Sequence, residues 1–141
     1  MNVYADSSLF VALYLPEAHS GEALRRIGEG KRIWLTPLHR VEWSQAIAQH
    51  VFRRIISSEQ ATKVYSAFEA NRKSNMLVEA NVPEEAFERA VQLAREYGPQ
   101  MGMRTLDTLH IASALELGAK EFWSFDERQK GLAKTVGLST S

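Results

Sequence analysis

Four carboxylates stand at punctuated places in this 141-residue chain: Asp6 after a short opening apolar run, Glu42 within a helical pattern, Asp107 at the start of another, and Asp126 after a late apolar run. Gathered at one place, such groups repel one another and cannot all stay ionised without a compensating cation. A hard divalent ion resolves the conflict. Mg²⁺ prefers oxygen donors and keeps several waters, so a few carboxylates plus a substrate phosphate suit it, and Mn²⁺ accepts the same donors. Zinc would call for cysteine or histidine, and the chain has no cysteine. The chemistry that such an ion supplies is charge neutralisation at a phosphate oxygen and activation of water for in-line attack, with a second ion able to assist the leaving group. On this reading Asp6 and Asp107 are direct ligands. Glu42 and Asp126 bind through water or orient the nucleophile, and the hydroxyls of Ser7 and Ser124 orient the ligands.

Each residue also has an ordinary explanation. An aspartate where a strand turns into a helix is a common N-cap, satisfying free amide groups. Asp126 shows the ambiguity best, because Gln129 three residues on completes the pattern of a capping box. Glu42 taken alone reads as a solvated helix residue. His110 shares a helix face with Asp107, but in so apolar a segment it reads as a hydrogen-bonded core residue and is given no catalytic role. Ser7 and Ser124 serve equally as capping and turn residues.

The elements that position these side chains follow from periodicity and punctuation. Asn2 to Ala5 reads as a buried strand and Ser7 to Leu15 as an apolar helix stopped before Pro16. A second helix begins near Ser20. Ile33 to Leu35 makes a strand, closed by Thr36 as N-cap and Pro37 at the first helical position. Glu42 falls in the second turn of that helix, beside a predicted apolar stripe of Leu38, Val41, Ala48, Val51, Phe52 and Ile55. Ser57 with Gln60 opens the next helix, to about Arg72. Met76 to Val82 is a candidate strand, and Pro83 opens a helix that Gly98-Pro99 is expected to end. Asp107 to Leu117 reads as a central, buried helix with Gly118 as its terminator. Glu121 to Phe125 follows as a strand and Asp126 starts the last helix. Thr135 to Ser141 leaves little room for a final strand.

Strands alternating with helices predict an α/β fold: a central parallel sheet of four or five short strands with helices on both faces. Asp6 and Asp126 then lie at the carboxyl ends of strands, where open α/β sheets build their sites. Length and a 45% hydrophobic composition suit one domain spanning residues 1–141. Lys+Arg and Asp+Glu both number 17, so zero formal net charge gives no global attraction to nucleic acid or anionic membrane. The apolar stretch Leu9 to Leu15 is too short to span a bilayer, and a cytoplasmic protein with no membrane partner is expected. Basic pairs at Arg25-Arg26, Lys31-Arg32, Arg53-Arg54 and Arg72-Lys73 read mostly as solvated faces. Arg104 and Arg128, close to acidic positions, are the better candidates for phosphate contacts. Trp34, Trp43 and Trp123 read as core.

Tyr4-Ala5-Asp6-Ser7-Ser8, Thr36-Pro37 followed by Val41-Glu42, Leu106 to Ala114, and Phe122-Trp123-Ser124-Phe125-Asp126 resemble, in order and spacing, the four acidic motifs of PIN-domain ribonucleases. The resemblance covers essentially the whole chain, is most specific from Leu106 to Asp126, and in size is most similar to toxins of the VapC type. It implies metal-dependent cleavage of single-stranded RNA, with Asp6, Glu42, Asp107 and Asp126 as the acidic cluster and Mg²⁺ or Mn²⁺ as cofactor. It also implies an antitoxin peptide lying along a groove near Phe10, Leu13, Tyr14, Val64, Tyr65 and Phe68, and a homodimer. The ordinary explanation of those six side chains is packing within the domain.

Two other classes stay open. A different α/β phosphohydrolase could use the same carboxylates, although an aspartyl-phosphate enzyme would usually carry an aspartate where this chain has Ser8. A non-catalytic interaction domain would bind no metal and tolerate amide replacement of the acids.

Overall fold

The computed structural model describes residues 2–141. In chain order the elements are β1 (Asn2–Ala5), α1 (Ser7–Tyr14), α2 (Ser20–Ile27), β2 (Arg32–Leu35), α3 (Pro37–Phe52), α4 (Ser58–Arg72), β3 (Leu77–Glu79), α5 (Glu85–Met101), α6 (Thr105–Glu116), β4 (Glu121–Trp123), α7 (Glu127–Thr135) and β5 (Ser139–Thr140). The five strands form one sheet in the order β3-β2-β1-β4-β5, every pair parallel. This is the expected α/β architecture. The chain winds outward from β1 in one direction through β2 and β3, then crosses to the other side for β4 and β5. The strand order therefore reverses between β1 and β4, and it is outside the carboxyl ends of two such strands that α/β sheets form a crevice.

Side-chain alternation along the strands sorts the core onto the two faces. Val3, Ala5, Ile33, Leu35 and Trp123 point to one, where Leu9, Phe10, Ala23, Trp43, Ile47, Ala61 and Phe68 of α1 to α4 cover them. Tyr4 and Phe122 point to the other and pack with Ala86, Leu93, Ile111, Ala112, Ala114, Leu132 and Ala133 of α5, α6 and α7. Because both faces are covered, the central strands are apolar beyond their first residues, Val3 to Ala5, Ile33 to Leu35 and Phe122-Trp123, rather than alternating with polar residues. In α6 the seven residues from Thr108 to Ala114 are all buried, as its nearly unbroken apolar run requires. Trp43 and Trp123 are core, and Trp34 is partly buried. Among the described residues no helix is long and apolar enough to cross a membrane.

The structure corrects several expectations. The buried positions of α3 are His39, Trp43 and Ile47, spaced by four, whereas Val41 and Phe52 of the predicted stripe are 68% and 84% exposed. Ile55 lies beyond the helix and is exposed. Trp43 sets the face of α3, since its ring stacks on Phe68 at 4.2 Å and meets Tyr14 edge-on. The fifth helix does not end at Gly98-Pro99 but continues to Met101, because one lost N–H in the last turn is offset by a left-handed cap. There Gly102 has φ +65° and its N–H returns to the Gly98 carbonyl at 2.9 Å. A final strand does exist: two residues suffice, because β5 pairs in register with Glu121 and Phe122 of β4. Arg26 is not a solvated residue. It is 2% exposed, with its guanidinium over the rings of Trp123 and Phe125, and it donates to Glu22 and to the Ser141 carbonyl, both at 2.9 Å.

Candidate functional site

Asp6 is held from both sides at the sheet's carboxyl edge. Its N–H donates to the Trp123 carbonyl at 2.8 Å, joining the end of β1 to the end of β4. The carbonyl of Ala5, just before it, accepts from His39 Nε2 at 2.7 Å. Although Asp6 occupies the N-cap position of α1, its side chain makes no capping bond, so the capping explanation fails there. Oδ2 accepts from the Ser8 hydroxyl at 2.7 Å. Oδ1 faces His110 Nε2 at 3.8 Å.

The His39 clamp has a fixed tautomer. Nδ1 accepts from the Thr36 N–H at 3.0 Å, so it carries no proton, and Nε2 carries the one given to Ala5. The ring closes a capping box in which Thr36 Oγ1 accepts from the His39 N–H. Burial pushes its pKa down to about 3, helped by His110 nearby and opposed by the Ala5 bond and Glu42. His39 escaped the sequence reading because glutamate or glutamine is the usual partner at this position of a capping box. The available signal was a hydrogen-bonding side chain three residues after Thr36.

Glu42 reaches the same place from α3. Its Oε1 accepts from His110 Nε2 and, at 2.8 Å, from the Ser7 hydroxyl. Burial works to raise the Glu42 pKa, but the His110 bond and charge, with the Ser7 hydroxyl, hold it below the ordinary glutamate value. Glu42 is therefore an engaged carboxylate, not a solvated helix residue. His110 is fully buried and hydrogen-bonded, as expected of its apolar segment, and its partners include a candidate site residue. Its Nδ1 lies 2.7 Å from the hydroxyl of Tyr4, another fully buried side chain.

Asp107 sits in the first turn of α6, one turn before His110, with its side chain 19% exposed. Its Oδ2 accepts a long bond of 3.4 Å from the Arg104 N–H and lies 3.6 Å from Arg104 Nε. Asp126 does cap α7, Oδ1 accepting from the N–H groups of Arg128 and Gln129 at 2.8 and 3.0 Å. The expected reciprocal bond from Gln129 is absent. Gln129 instead accepts from the Ser124 hydroxyl at 2.6 Å and donates to the Asp107 carbonyl at 3.2 Å, tying α7 to the start of α6. Ser124 Oγ in turn accepts from the Asp126 N–H at 3.0 Å. Arg104 and Arg128 are exposed beside this edge.

The structure thus brings Asp6, Glu42, Ser7 and His110 into direct contact and joins Asp107 to Asp126 through Gln129. Among the described residues, no three His, Asp or Glu side chains as they stand form a group that could hold an ion. The donor chemistry nevertheless fits a hard divalent cation. Asp6 Oδ1, Glu42 Oε2, Asp107 Oδ1 and Asp126 Oδ2 take part in no hydrogen bond among the described residues, leaving one oxygen on each carboxylate for a ligand. Away from the acids, an apolar groove of about 270 Å³ is lined by Phe10, Leu13 and Tyr14 of α1, Leu24 and Ile27 of α2, and Met76 and Leu77. Val64 and Phe68 of the six groove candidates pack in the core beneath, and Tyr65 meets the Trp43 ring edge-on.

The PIN domain family model matches residues 3–135. Solved structures share the fold at low identity. VapC20 of Mycobacterium tuberculosis, a Sarcin-Ricin loop cleaving toxin, is 18% identical with a TM-score of 0.67, covering 92% of this chain and 93% of its own. VapBC2 from Rickettsia felis, bound to a DNA fragment from its promoter, is 14% identical with a TM-score of 0.68, covering 100% and 98%. FitAcB from Neisseria gonorrhoeae is 12% identical with a TM-score of 0.67, covering 98% and 95%. No match is found among curated proteins.

Proposed function

The chain belongs to the PIN-domain family, and on that premise we propose that it is a Mg²⁺- or Mn²⁺-dependent endoribonuclease that cuts single-stranded or loop RNA, acting as the toxin of a toxin-antitoxin pair. The observation that carries this reading is the convergence of Asp6 and Glu42 on His110, one turn along α6 from Asp107, at the edge where the strand order reverses. Asp6 and Asp107 would hold the cation, with Glu42 and Asp126 completing the acidic set. The cation would supply charge neutralisation at the scissile phosphate and a more acidic water.

The chain's own groups do the rest. The β1–β4 junction and the His39 clamp fix Asp6, Ser7 and His110 hold Glu42, and Gln129 keeps the starts of α6 and α7 together. Arg104 and Arg128, both exposed beside the acidic edge, would contact the phosphate backbone beside the cut. Recognition then depends on local charge and on unpaired bases rather than on duplex readout, consistent with zero net charge. The groove between α1, α2 and the start of β3 suits an apolar antitoxin segment, and the basic tail of such a peptide would reach the acidic edge. The likeness in fold to VapC20 and to the VapBC2 and FitAcB structures supports the toxin-antitoxin assignment, and the proposal includes a homodimer working in the cytoplasm.

Purified protein incubated with a panel of hairpin and unstructured RNAs in Mg²⁺, Mn²⁺ or EDTA tests the proposal. Cleavage at discrete unpaired positions, abolished by EDTA, is expected. Metal binding with hydrolysis only of other phosphoesters would favour a different phosphohydrolase, and no metal binding would favour an interaction domain.

A further inference from the structure

We propose that His110 is the positioning residue of the acidic edge: a buried imidazole that fixes the Glu42 carboxylate and thereby sets the affinity of the site for its divalent cation. The inference rests on the reading of that edge as a metal site.

Four observations carry it. His110 is fully buried, so it cannot itself meet an RNA chain. Both ring nitrogens are committed, Nε2 to Glu42 and Nδ1 to the Tyr4 hydroxyl at 2.7 Å, so neither is free to serve as a ligand. The ring cannot turn easily, because Tyr4 is itself fully buried and stacked on Phe122 at 5.8 Å. Finally, the imidazole is the meeting point of two acids that arrive on separate elements, bonded to Glu42 from α3 and 3.8 Å from Asp6 Oδ1 after β1.

Glutamate has a long side chain whose freedom must be lost before it can serve a cation. The bonds from His110 and Ser7 remove that freedom in advance and leave Oε2 unbonded. Partners that orient a ligating carboxylate in this way typically change metal affinity by about 10- to 100-fold when removed.

Mn²⁺ titrated calorimetrically into wild type, His110→Leu, His110→Gln, Glu42→Gln and the His110→Leu/Glu42→Gln double variant tests the inference without any RNA. We expect His110→Leu to weaken Mn²⁺ binding about 10- to 100-fold. His110→Gln, which keeps an N–H donor toward Glu42, should recover most of the loss. In the Glu42→Gln background His110→Leu should add less than about twofold, because residues acting through one interaction are not additive. His110→Leu within about twofold of wild type, or an equal loss in both backgrounds, overturns the proposal in favour of a purely structural histidine. Should circular dichroism show His110→Leu unfolded, Tyr4→Phe carries the test by removing only the Nδ1 partner. Weaker Mn²⁺ binding by Tyr4→Phe supports the inference, and wild-type affinity overturns it. A wild-type protein that binds no Mn²⁺ overturns the metal-site reading itself, an outcome distinct from unequal or equal binding among the variants.

Discussion

The Asp6 N–H donates to the Trp123 carbonyl at 2.8 Å, a bond that welds β1 to β4 at the point where the sheet reverses. Beyond Trp123 the chain needs only Ser124 and Phe125 to reach Asp126. A backbone bond thus sets where two acids 120 positions apart in sequence enter the same edge.

Asp126 caps α7 with Oδ1, and the proposed function gives it a second, separable duty as a charge at the acidic edge. Asparagine is as good an N-cap as aspartate, while alanine forfeits about 1 kcal/mol. Asp126→Asn is therefore expected to melt like wild type and Asp126→Ala to be less stable by that amount, with RNA cleavage impaired in both. Urea melts alongside cleavage assays check this. An Asp126→Asn protein with full activity would reduce the residue to a cap.

Stability should depend on His39 in mildly acid solution. The unfolded chain protonates this histidine near pH 6.5, whereas the folded protein resists down to about 3, chiefly through burial. Between those values the unfolded state binds more protons, so stability is full above 6.5 and falls as pH drops, by up to about 1.4 kcal/mol per pH unit. Glu42 acts in the same direction lower down, its lowered folded pKa giving stability that is lost as pH falls through that value. Urea midpoints across this range should decline for wild type and decline less for His39→Gln. Parallel profiles would contradict the assignment.

The two sides of α3 should respond oppositely to substitution. Ile47 is fully buried, and Ile47→Ala is expected to cost about 2–5 kcal/mol. Phe52 is 84% exposed, and Phe52→Ser should stay within about 0.5 kcal/mol of wild type. Denaturant unfolding of both variants decides it, and reversed costs would restore the face that the sequence suggested.

That helix also shows where sequence reading ran out. Its start was legible in Thr36-Pro37, but its buried face was not, because that face begins with a histidine and is set by Trp43 packing on Phe68 and Tyr14, contacts made with distant segments. The strands β1 and β2, the buried α6 and the turn at Gly118 followed from apolar runs and punctuation, signals local to the chain. β5 did not, since two residues hold no periodicity and only pairing with β4 makes them a strand. Among the candidate site residues, the acids were visible by type and spacing. The role of Gln129 in bridging to Asp107 was hidden behind a plausible capping box, and the His110 contacts with Glu42 and Tyr4 span 68 and 106 positions.

Arg104 is 85% exposed beside Asp107. If it meets an RNA phosphate, Arg104→Gln should weaken binding evenly across RNA sequences and lower the salt slope of binding by about one. Filter binding at several salt concentrations in Ca²⁺ gives that slope, and an unchanged slope would place the guanidinium off the RNA path.

The most direct test of the acidic edge as a cleavage centre is the RNA cleavage rate of Asp107→Asn against wild type in Mg²⁺ or Mn²⁺, with equal folding shown by circular dichroism. Losing a ligand for the charge-neutralising cation should cost several kcal/mol of transition-state stabilisation, at least about a 100-fold fall in rate. Cleavage by the folded variant at the wild-type rate would contradict the account.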